Sequence, residues 1–180
     1  RTIISMTTPY LRELRMENVP FASPDIVAFI LWREEFLGDL QRAEESGCFT
    51  VVGASALVDA QVSHAHLVLG SVSDIPSGVN PKDHLDRFDA IVLTDGLNGA
   101  RYYSKGEELH QTAFNVQALD VTGAGDAFIC GYLAGFANGL EAANCLLIAS
   151  QWAASSVQVN ASIPPAFDRV RKEWGIELGL

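Results

Sequence analysis

A nine-residue stretch in the C-terminal half combines residue types suited to holding an anion and moving a proton. It reads Asp120-Val-Thr-Gly-Ala-Gly-Asp-Ala-Phe128 and runs directly into an apolar helical pattern that extends to Leu140. Glycine and alanine let backbone N–H groups crowd together at a helix start, where the helix dipole and unpaired donors favour an anion. We therefore interpret Gly123, Ala124 and Gly125 as a candidate anion hole.

Asp126 stands one residue beyond this anion hole. Its carboxylate would repel a phosphate a few ångströms away unless a proton or a metal intervened, so its useful role is to take a proton from an attacking hydroxyl. An anion hole beside a base is the minimum that phosphoryl transfer requires. The simpler alternative is a well-capped helix, because acidic residues favour the first turn in any case.

Composition limits the classes of protein that this chain can belong to. Its 180 residues are 48% hydrophobic, which is enough for one domain with a sizeable core. The formal charge of −10 argues against a nucleic-acid partner, since binding to a phosphate backbone needs clustered lysines and arginines. No apolar run approaches the length of a membrane span and no signal peptide opens the chain. We expect a soluble, cytoplasmic protein.

Cysteine usage agrees with a reducing compartment. Cys48, Cys130 and Cys145 are odd in number and lack the spacing of a metal site, and two of them fall in apolar helical runs. We expect all three to be reduced core residues.

Short apolar segments alternate with helical patterns along the chain, which predicts a parallel sheet buried on both faces. The predicted strands cover residues 2–6, 25–30, 49–53, 66–70 and 90–94, and the predicted helices cover residues 34–46, 81–88, 125–138 and 141–157; residues 11–19 form a charged connection. In such sheets ligands lie beyond the carboxyl ends of the strands. The loop after Thr94 and the loop before Gly123 are therefore the ones of interest.

The loop after Thr94 is rich in glycine. Thr94-Asp-Gly-Leu-Asn-Gly99 leaves the strand and leads into a hairpin that turns at Lys105-Gly106. A nucleotide could lie against backbone at Gly96 and Gly99, although turns of this composition are common without any ligand.

Glycines also recur inside the predicted helix that follows the anion hole. Gly131, Gly135 and Gly139 are spaced by four residues, and each interior glycine costs a helix about 1 kcal/mol relative to alanine. Several in register suggest that a neighbour packs very close. The apolar helix 141–157 is the expected partner, so we interpret the pair as core.

Three other motifs are excluded. Gly123-Ala-Gly125 is not a dinucleotide fingerprint, because Phe128 occupies the third glycine position, and the chain has no Gly-Lys-Ser or Gly-Lys-Thr of a Walker-type loop. His64 and His66 would share one face of a strand, but no third ligand lies at a suitable spacing. We interpret them as strand-edge histidines and not as a metal site.

Two of these stretches resemble the motifs of a known protein family. Asp120 to Phe128 closely resembles the C-terminal signature of the ribokinase-like (PfkB) carbohydrate kinases, and Thr94 to Gly99 resembles their nucleotide loop. The resemblance covers residues 1–170 and is dense in motifs over 90–165. It implies a three-layer α/β/α fold with a mostly parallel sheet. It also implies that 1–180 is a single α/β domain, the C-terminal part of such a kinase, with the N-terminal strands and lid largely missing and 1–10 a remnant of the preceding acceptor half.

The resemblance also implies an activity: transfer of the γ-phosphoryl group of ATP to a hydroxyl of a sugar, nucleoside or similar small alcohol, with Mg²⁺ and, in some members, K⁺. Members often form homodimers through the lid. The roles carried over are these: Asp126 as catalytic base; Gly123, Ala124 and Gly125 as anion hole; Thr94, Gly96, Gly99 and Asn160 as nucleotide contacts; Asp120 and Thr122 as ligands of the monovalent cation.

One departure from the family pattern concerns the metal. Where the family has Asn-x-x-Glu, this chain has Ser71-Val-Ser-Asp74, so that Asp74 keeps the charge with a shorter reach and Ser71 loses the amide. This leaves two alternatives to a kinase. One is a catalytically impaired relative that acts as a nucleotide-binding or regulatory module; the other is a domain whose Gly-Ala-Gly loop binds phosphate or sulfate only structurally.

Overall fold

A computed structural model describes residues 3–5 (backbone only), 19–159 and 165–176. The chain divides into two compact units, which are treated separately below. The sheet unit is formed by Arg1–Leu93 and Tyr103–Glu107, and the helical unit by Thr94–Tyr102 and Glu108–Leu180.

The sheet unit contains strands that lie side by side in chain order. The strands are β1 (Ile3–Ser5), β2 (Ile26–Phe29), β3 (Phe49–Gly53), β4 (Ala65–Ser71) and β5 (Phe88–Thr94, whose last residue belongs to the helical unit). The registers of β1 with β2, β2 with β3 and β3 with β4 are all parallel, and consecutive residues of β2 and β3 are buried. Continuous burial is what a parallel sheet covered on both faces requires. The predicted parallel sheet is confirmed.

Among the described residues of the sheet unit, one α-helix, α1 (Leu37–Glu45), follows a single 3₁₀ turn at Glu34–Phe36. Leu40 and Ala43 are its fully buried residues, and they join a core that includes Phe29, Val52, Leu57, Val68, Phe88 and Ile91. Burying side chains of this size contributes about 1.5–3 kcal/mol each, so this cluster is the main source of stability in the unit.

The carboxyl ends of β3 and β4 are closed by backbone that approaches very near. A Cβ at Gly53 would stand 1.9 Å from the carbonyl oxygen of Ile30, and a Cβ at Gly70 would stand 2.6 Å from the Cβ of Ala54. Both distances are far below van der Waals contact. Only glycine fits at these two positions.

The loop that follows β3 is held by one arginine side chain. Arg87 donates from Nη1 to the carbonyl oxygens of Asp59 at 2.9 Å and Val62 at 2.8 Å, and from Nη2 to the carbonyl oxygen of Leu57. The planar guanidinium can reach several acceptors at once because its donors lie in a fixed fork. The loop between β3 and β4 is thereby tied to the residue that precedes β5.

The helical unit contains strands β6 (Ala100–Ser104) and β7 (Glu108–Gln111), together with α2 (Ala124–Ala137), α3 (Ala142–Val157) and α4 (Phe167–Trp174). β6 and β7 form the predicted hairpin, and residues 103–107 at its turn belong to the sheet unit. The two predicted long helices are confirmed as α2 and α3. α4 is linked to α3 by Trp174, whose Nε1 donates to Oγ of Ser155 at 2.7 Å.

Helices α2 and α3 pack at very short range, as the glycine spacing predicts. A Cβ at Gly131 would stand 2.8 Å from Cα of Ala149, and a Cβ at Gly135 would stand 3.1 Å from Sγ of Cys145. For Gly139 the prediction of close packing is wrong, since no described atom lies within 4 Å of its Cβ position. Gly139 has φ of +76° and lies just past the end of α2, where a left-handed residue terminates a helix.

Two further expectations are corrected. The helix predicted over residues 81–88 is a single 3₁₀ turn, Pro81–His84, because Arg87 is held by carbonyl groups of the preceding loop and Phe88 is already the first, buried residue of β5. Cys130 is exposed, whereas Cys48 and Cys145 are buried as predicted. The connection predicted over 11–19 lies outside the described residues except for its last residue.

Candidate active site

The candidate anion hole is built by the way in which the chain enters α2. Gly123 is the N-cap residue with φ of 79° and ψ of 0°, a left-handed conformation that favours glycine, and its carbonyl oxygen accepts the N–H of Ala127 at 2.9 Å. The N–H of Ala124 makes a long bond of 3.3 Å to the carbonyl oxygen of Val121. The N–H groups of Gly125 and Asp126 lie in the first turn, where a helix offers no acceptor.

The surface over the first turn of α2 is open. Among the described residues, no atom lies within 4 Å of the position that a Cβ at Gly125 would take, and Asp126 is exposed. The start of α2 therefore combines unpaired donors and the positive end of the helix dipole with open space beside Gly125. A phosphoryl group could approach these amides, and the Asp126 carboxylate is accessible to a hydroxyl group.

The residues that lead into the anion hole are fixed by hydrogen bonds at both ends. Oδ1 of Asp120 accepts the N–H of Thr122 at 2.9 Å. This backbone bond, with a second from the Thr122 hydroxyl, lowers the pKa of Asp120, so its carboxyl group is ionised at neutral pH. The N–H groups of Leu119 and Asp120 both donate to the carbonyl oxygen of Val157, at 2.7 and 3.3 Å. Asp120 and Thr122 are thus direct neighbours, as their predicted shared role requires.

The glycine loop after Thr94 is a tight turn within the same unit. Gly96 and Gly99 have φ of +51° and +92°, and the N–H of Asp95 donates to the carbonyl oxygen of Gly99 at 2.7 Å. A Cβ at Gly99 would stand 2.0 Å from the carbonyl oxygen of Gln111. Gly99 is therefore required by the protein's own packing. Gly96, with no described atom within 4 Å of its Cβ position, leaves backbone exposed to a ligand.

Asp74 lies in the sheet unit, directly after the carboxyl end of β4. Its Oδ2 accepts the N–H of Ser71 at 2.9 Å, while the Ser71 hydroxyl oxygen accepts the N–H of Ser73 at 3.2 Å, which is a capping box around one 3₁₀ turn. Asp74 is exposed, and within the described part of the chain its Oδ1 has no partner. The remaining predicted site residue, Asn160, lies outside the described residues.

One cluster was missed by reasoning from spacing. Glu44, on α1, contacts Nδ1 of His64 through Oε1 at 2.6 Å, and one potential ligand atom from each of Glu44, His64 and His66 lies within 4.8 Å of the others. Sequence spacing indicates no third ligand, because Glu44 comes from another element and lies 20 residues before His64.

The cluster is nevertheless bonded in a way that does not suit a metal. Nδ1 of His66 accepts the backbone N–H of Thr50 at 3.1 Å, which places the proton of the neutral ring on Nε2. Burial, followed by the charge of His64, lowers the pKa of His66 and keeps that ring neutral. A metal-bound histidine donates through its second nitrogen, whereas the second nitrogen here is an acceptor. We treat the cluster as a hydrogen-bonded network.

Comparison with known protein families decides the class of the molecule. The model of the pfkB family of carbohydrate kinases matches residues 78–168, just over half of the chain, and includes both the glycine loop at 94–99 and the stretch at 120–128. The chain belongs to the pfkB family. Residues 71–74 and the Glu44 cluster lie outside the matched range.

Individual pfkB relatives are named as kinases of small alcohols. The chain is 37% identical to an inositol 3-kinase from Zea mays over 67 residues, which are 37% of this chain and 18% of that one. It is 30% identical to a nucleoside kinase from Methanocaldococcus jannaschii over 91 residues, which are 49% of this chain and 30% of that one. The chain therefore matches less than a third of the length of either relative.

Solved structures confirm the ribokinase-like α/β fold. The nucleoside kinase of M. jannaschii superposes with a TM-score of 0.73 at 20% identity, covering 87% of this chain and 57% of that one. A ribokinase from Arabidopsis thaliana, solved with ribose and ATP, superposes with a TM-score of 0.71 at 18% identity, covering 84% and 56%. Among the described helices of this pfkB chain, none is both long enough and apolar enough to cross a bilayer.

Proposed function

We propose that this protein transfers the γ-phosphoryl group of ATP to a hydroxyl of a sugar, nucleoside or similar small alcohol. The observation that carries this proposal is the exposed Asp126 in the first turn of α2, beside amides that have no acceptor in their own helix and beside open space at the Cβ position of Gly125. Membership of the pfkB family and the kinase names of the relatives agree with it. A protein that had given up catalysis would not need to keep both features together.

The chemistry assigned to the site follows from its charges. In phosphoryl transfer, negative charge spreads over the oxygens of the migrating group, and catalysis depends on placement and on stabilisation of that charge. The amides of Gly125 and Asp126 and the dipole of α2 supply fixed positive potential at that point. The Asp126 carboxylate accepts the proton of the attacking hydroxyl as the new oxygen–phosphorus bond forms. The bond between this phosphorus and the ADP leaving group breaks.

Two sets of side chains fit the cations that the family implies. Asp74 has a free carboxylate oxygen within the described residues and a second oxygen oriented by Ser71, so it could hold Mg²⁺, which when bound neutralises charge on the phosphates. The ionised Asp120 and its neighbour Thr122 offer oxygen ligands to a monovalent cation. No step above depends on either ion. Homodimerisation and a cytoplasmic location remain predictions.

The decisive experiment replaces Asp126 by asparagine in the full-length protein. We expect kcat to fall by about 10²–10⁴-fold, the usual contribution of a general base, while the affinity for ATP changes little. Turnover is measured with ATP and a panel of myo-inositol, fructose and adenosine, and ATP binding by calorimetry.

Asp168→Asn is the matched control, because Asp168 is also an exposed aspartate in the first turn of a helix, α4. It should leave turnover unchanged. Full activity of the Asp126→Asn variant would rule out the assigned base. Failure of the unaltered protein to phosphorylate any hydroxyl acceptor, with ATP still bound, would favour the impaired relative.

A further inference from the structure

The segment that leads into the candidate anion hole and the helix that leaves it are both supported by α3. The carbonyl oxygen of Val157, in the last residue of α3, accepts the N–H groups of Leu119 and Asp120 at 2.7 and 3.3 Å. A carbonyl group in the last turn of a helix finds no N–H donor within that helix, and these two bonds supply donors to it. The two hydrogen bonds therefore fix the position of the first residue of the 120–128 stretch.

The second support lies two turns into α2. A Cβ at Gly131 would stand 2.8 Å from Cα and 3.2 Å from N of Ala149, and 3.3 Å from the carbonyl oxygen of Ile148. All three atoms are backbone atoms of α3, which cannot turn aside as the end of a flexible side chain can. The distance between the axes of α2 and α3 is therefore set by the absence of a side chain at Gly131.

Only residues 121–123 lie between Asp120, which the first support holds, and the start of α2 at Ala124. Leu119 and Asp120 are held by Val157, and α2 starts at Ala124 as one rigid helix whose position is set at Gly131. Gly131 is seven residues from Ala124, about 10 Å along the helix axis, so a displacement of the helix at one point moves its first turn as well. Residues 121–123 must therefore accommodate any displacement of α2 relative to Asp120.

We infer that α3 is the positioning element of the transfer site, and that Gly131 and the Val157 carbonyl group set the place of the first-turn amides relative to Asp120. This inference rests on the proposed kinase function. Neither group touches the reacting atoms, so both are positioning residues.

A graded series of alanine substitutions in the full-length protein tests the inference. Gly131→Ala must displace α2, because its methyl group meets backbone. Gly135→Ala should displace it less, because the nearest atom is Sγ of Cys145 at 3.1 Å, which can move. Gly38→Ala is the control: it adds the same methyl group to α1, with no described atom within 4 Å.

We expect kcat of Gly131→Ala to fall by about 10–100-fold, since a misplacement of about 1 Å can cost that much. The KM for ATP should stay within about threefold, because the nucleotide loop at 94–99 is not displaced. Gly135→Ala should lose a few-fold of kcat, and Gly38→Ala none. A Gly131→Ala protein that folds and keeps the kcat of the unaltered protein would overturn the inference, as would equal losses in kcat and in ATP affinity.

Amide hydrogen exchange supplies a readout that needs no acceptor. Gly131→Ala should raise the exchange rates of Leu119 and of residues 123–127, and Gly38→Ala should leave them unchanged. If the unaltered protein turns over none of the acceptors, the proposed function fails, and the exchange rates alone decide the inference. Unchanged rates in a folded Gly131→Ala protein would then refute it. If Gly131→Ala does not fold, unchanged rates in Gly135→Ala would refute it instead.

Discussion

Glycine residues in two regions of the molecule have opposite surroundings. At the ends of β3 and β4, the space beside Gly53 and Gly70 is filled by neighbouring protein atoms, at 1.9 and 2.6 Å from the missing Cβ. At the start of α2, the space beside Gly125 is open within the described residues. The difference separates glycines whose neighbours leave no room for a side chain from a glycine beside which a ligand could fit.

The filled region should show the largest effect of a single methyl group. Gly53→Ala places a Cβ on the carbonyl oxygen of Ile30, and overpacking of this kind should lower the free energy of unfolding by about 3 kcal/mol or more. Urea unfolding followed by circular dichroism measures it. Gly38→Ala, a helical glycine beside open space, should instead gain up to about 1 kcal/mol. An unchanged urea midpoint for Gly53→Ala would show that the strand end is less rigid than its contacts indicate.

The open region should show a loss of activity without a loss of stability. Gly125→Ala meets no protein atom within the described chain, so the free energy of unfolding should be unchanged or raised by up to about 1 kcal/mol. Its methyl group would intrude where phosphoryl oxygens are expected, and kcat/KM should fall by about 10–100-fold. Steady-state kinetics beside thermal unfolding test this contrast. A variant as active as the unaltered protein would mean that no ligand uses the space.

Asp74 is an intermediate case, since one oxygen serves local structure and the other is free within the described residues. Asp74→Asn keeps an acceptor for the Ser71 N–H but removes the charge, so stability should change by less than about 0.5 kcal/mol. The concentration of Mg²⁺ needed for half-maximal activity should rise about tenfold if Asp74 holds the cation. Asp74→Ala, which also removes the acceptor, should lose about 1 kcal/mol of stability as well. An unaltered Mg²⁺ dependence in both variants would assign Asp74 to capping alone.

The smallest effect should be a pH dependence in the sheet unit. Burial and the neighbouring His64 lower the pKa of His66 in the folded state, so the unfolded chain binds more protons as the pH falls below the ordinary histidine pKa of about 6.5. Stability contributed by neutral His66 is therefore present at pH 7.5 and is lost as the pH falls through the lowered pKa. Urea unfolding at pH 7.5 and pH 5 should show this loss, and His66→Gln should reduce it. An equal loss in both proteins would assign it to other groups.

Local patterns predicted much of the fold. Alternating apolar segments predicted the strands, and the Lys105-Gly106 turn predicted the hairpin between β6 and β7. The close contact of α2 with α3 followed from Gly131 and Gly135, whose cost in a helix has to be offset by packing. These features depend on residues that are near one another in the sequence.

Features that depend on distant residues could not be predicted in the same way. The proximity of Glu44 to His64 arises because α1 and the residue before β4 meet only in the folded unit. The helix expected over 81–88 is cut short by contacts of Arg87 with a loop some 25 residues earlier. At the candidate site, spacing could indicate an anion hole, but the openness at Gly125 and the shared support from Val157 required coordinates.

The hydrogen bonds that Arg87 donates to three carbonyl groups restrict motion in the sheet unit. The guanidinium of Arg87 joins the loop 54–62 to the start of β5. This loop therefore cannot move away without breaking these hydrogen bonds or displacing the buried first residue of β5. It should therefore open together with β5 in one cooperative event, and its amides should exchange at the same rate as those at the start of β5.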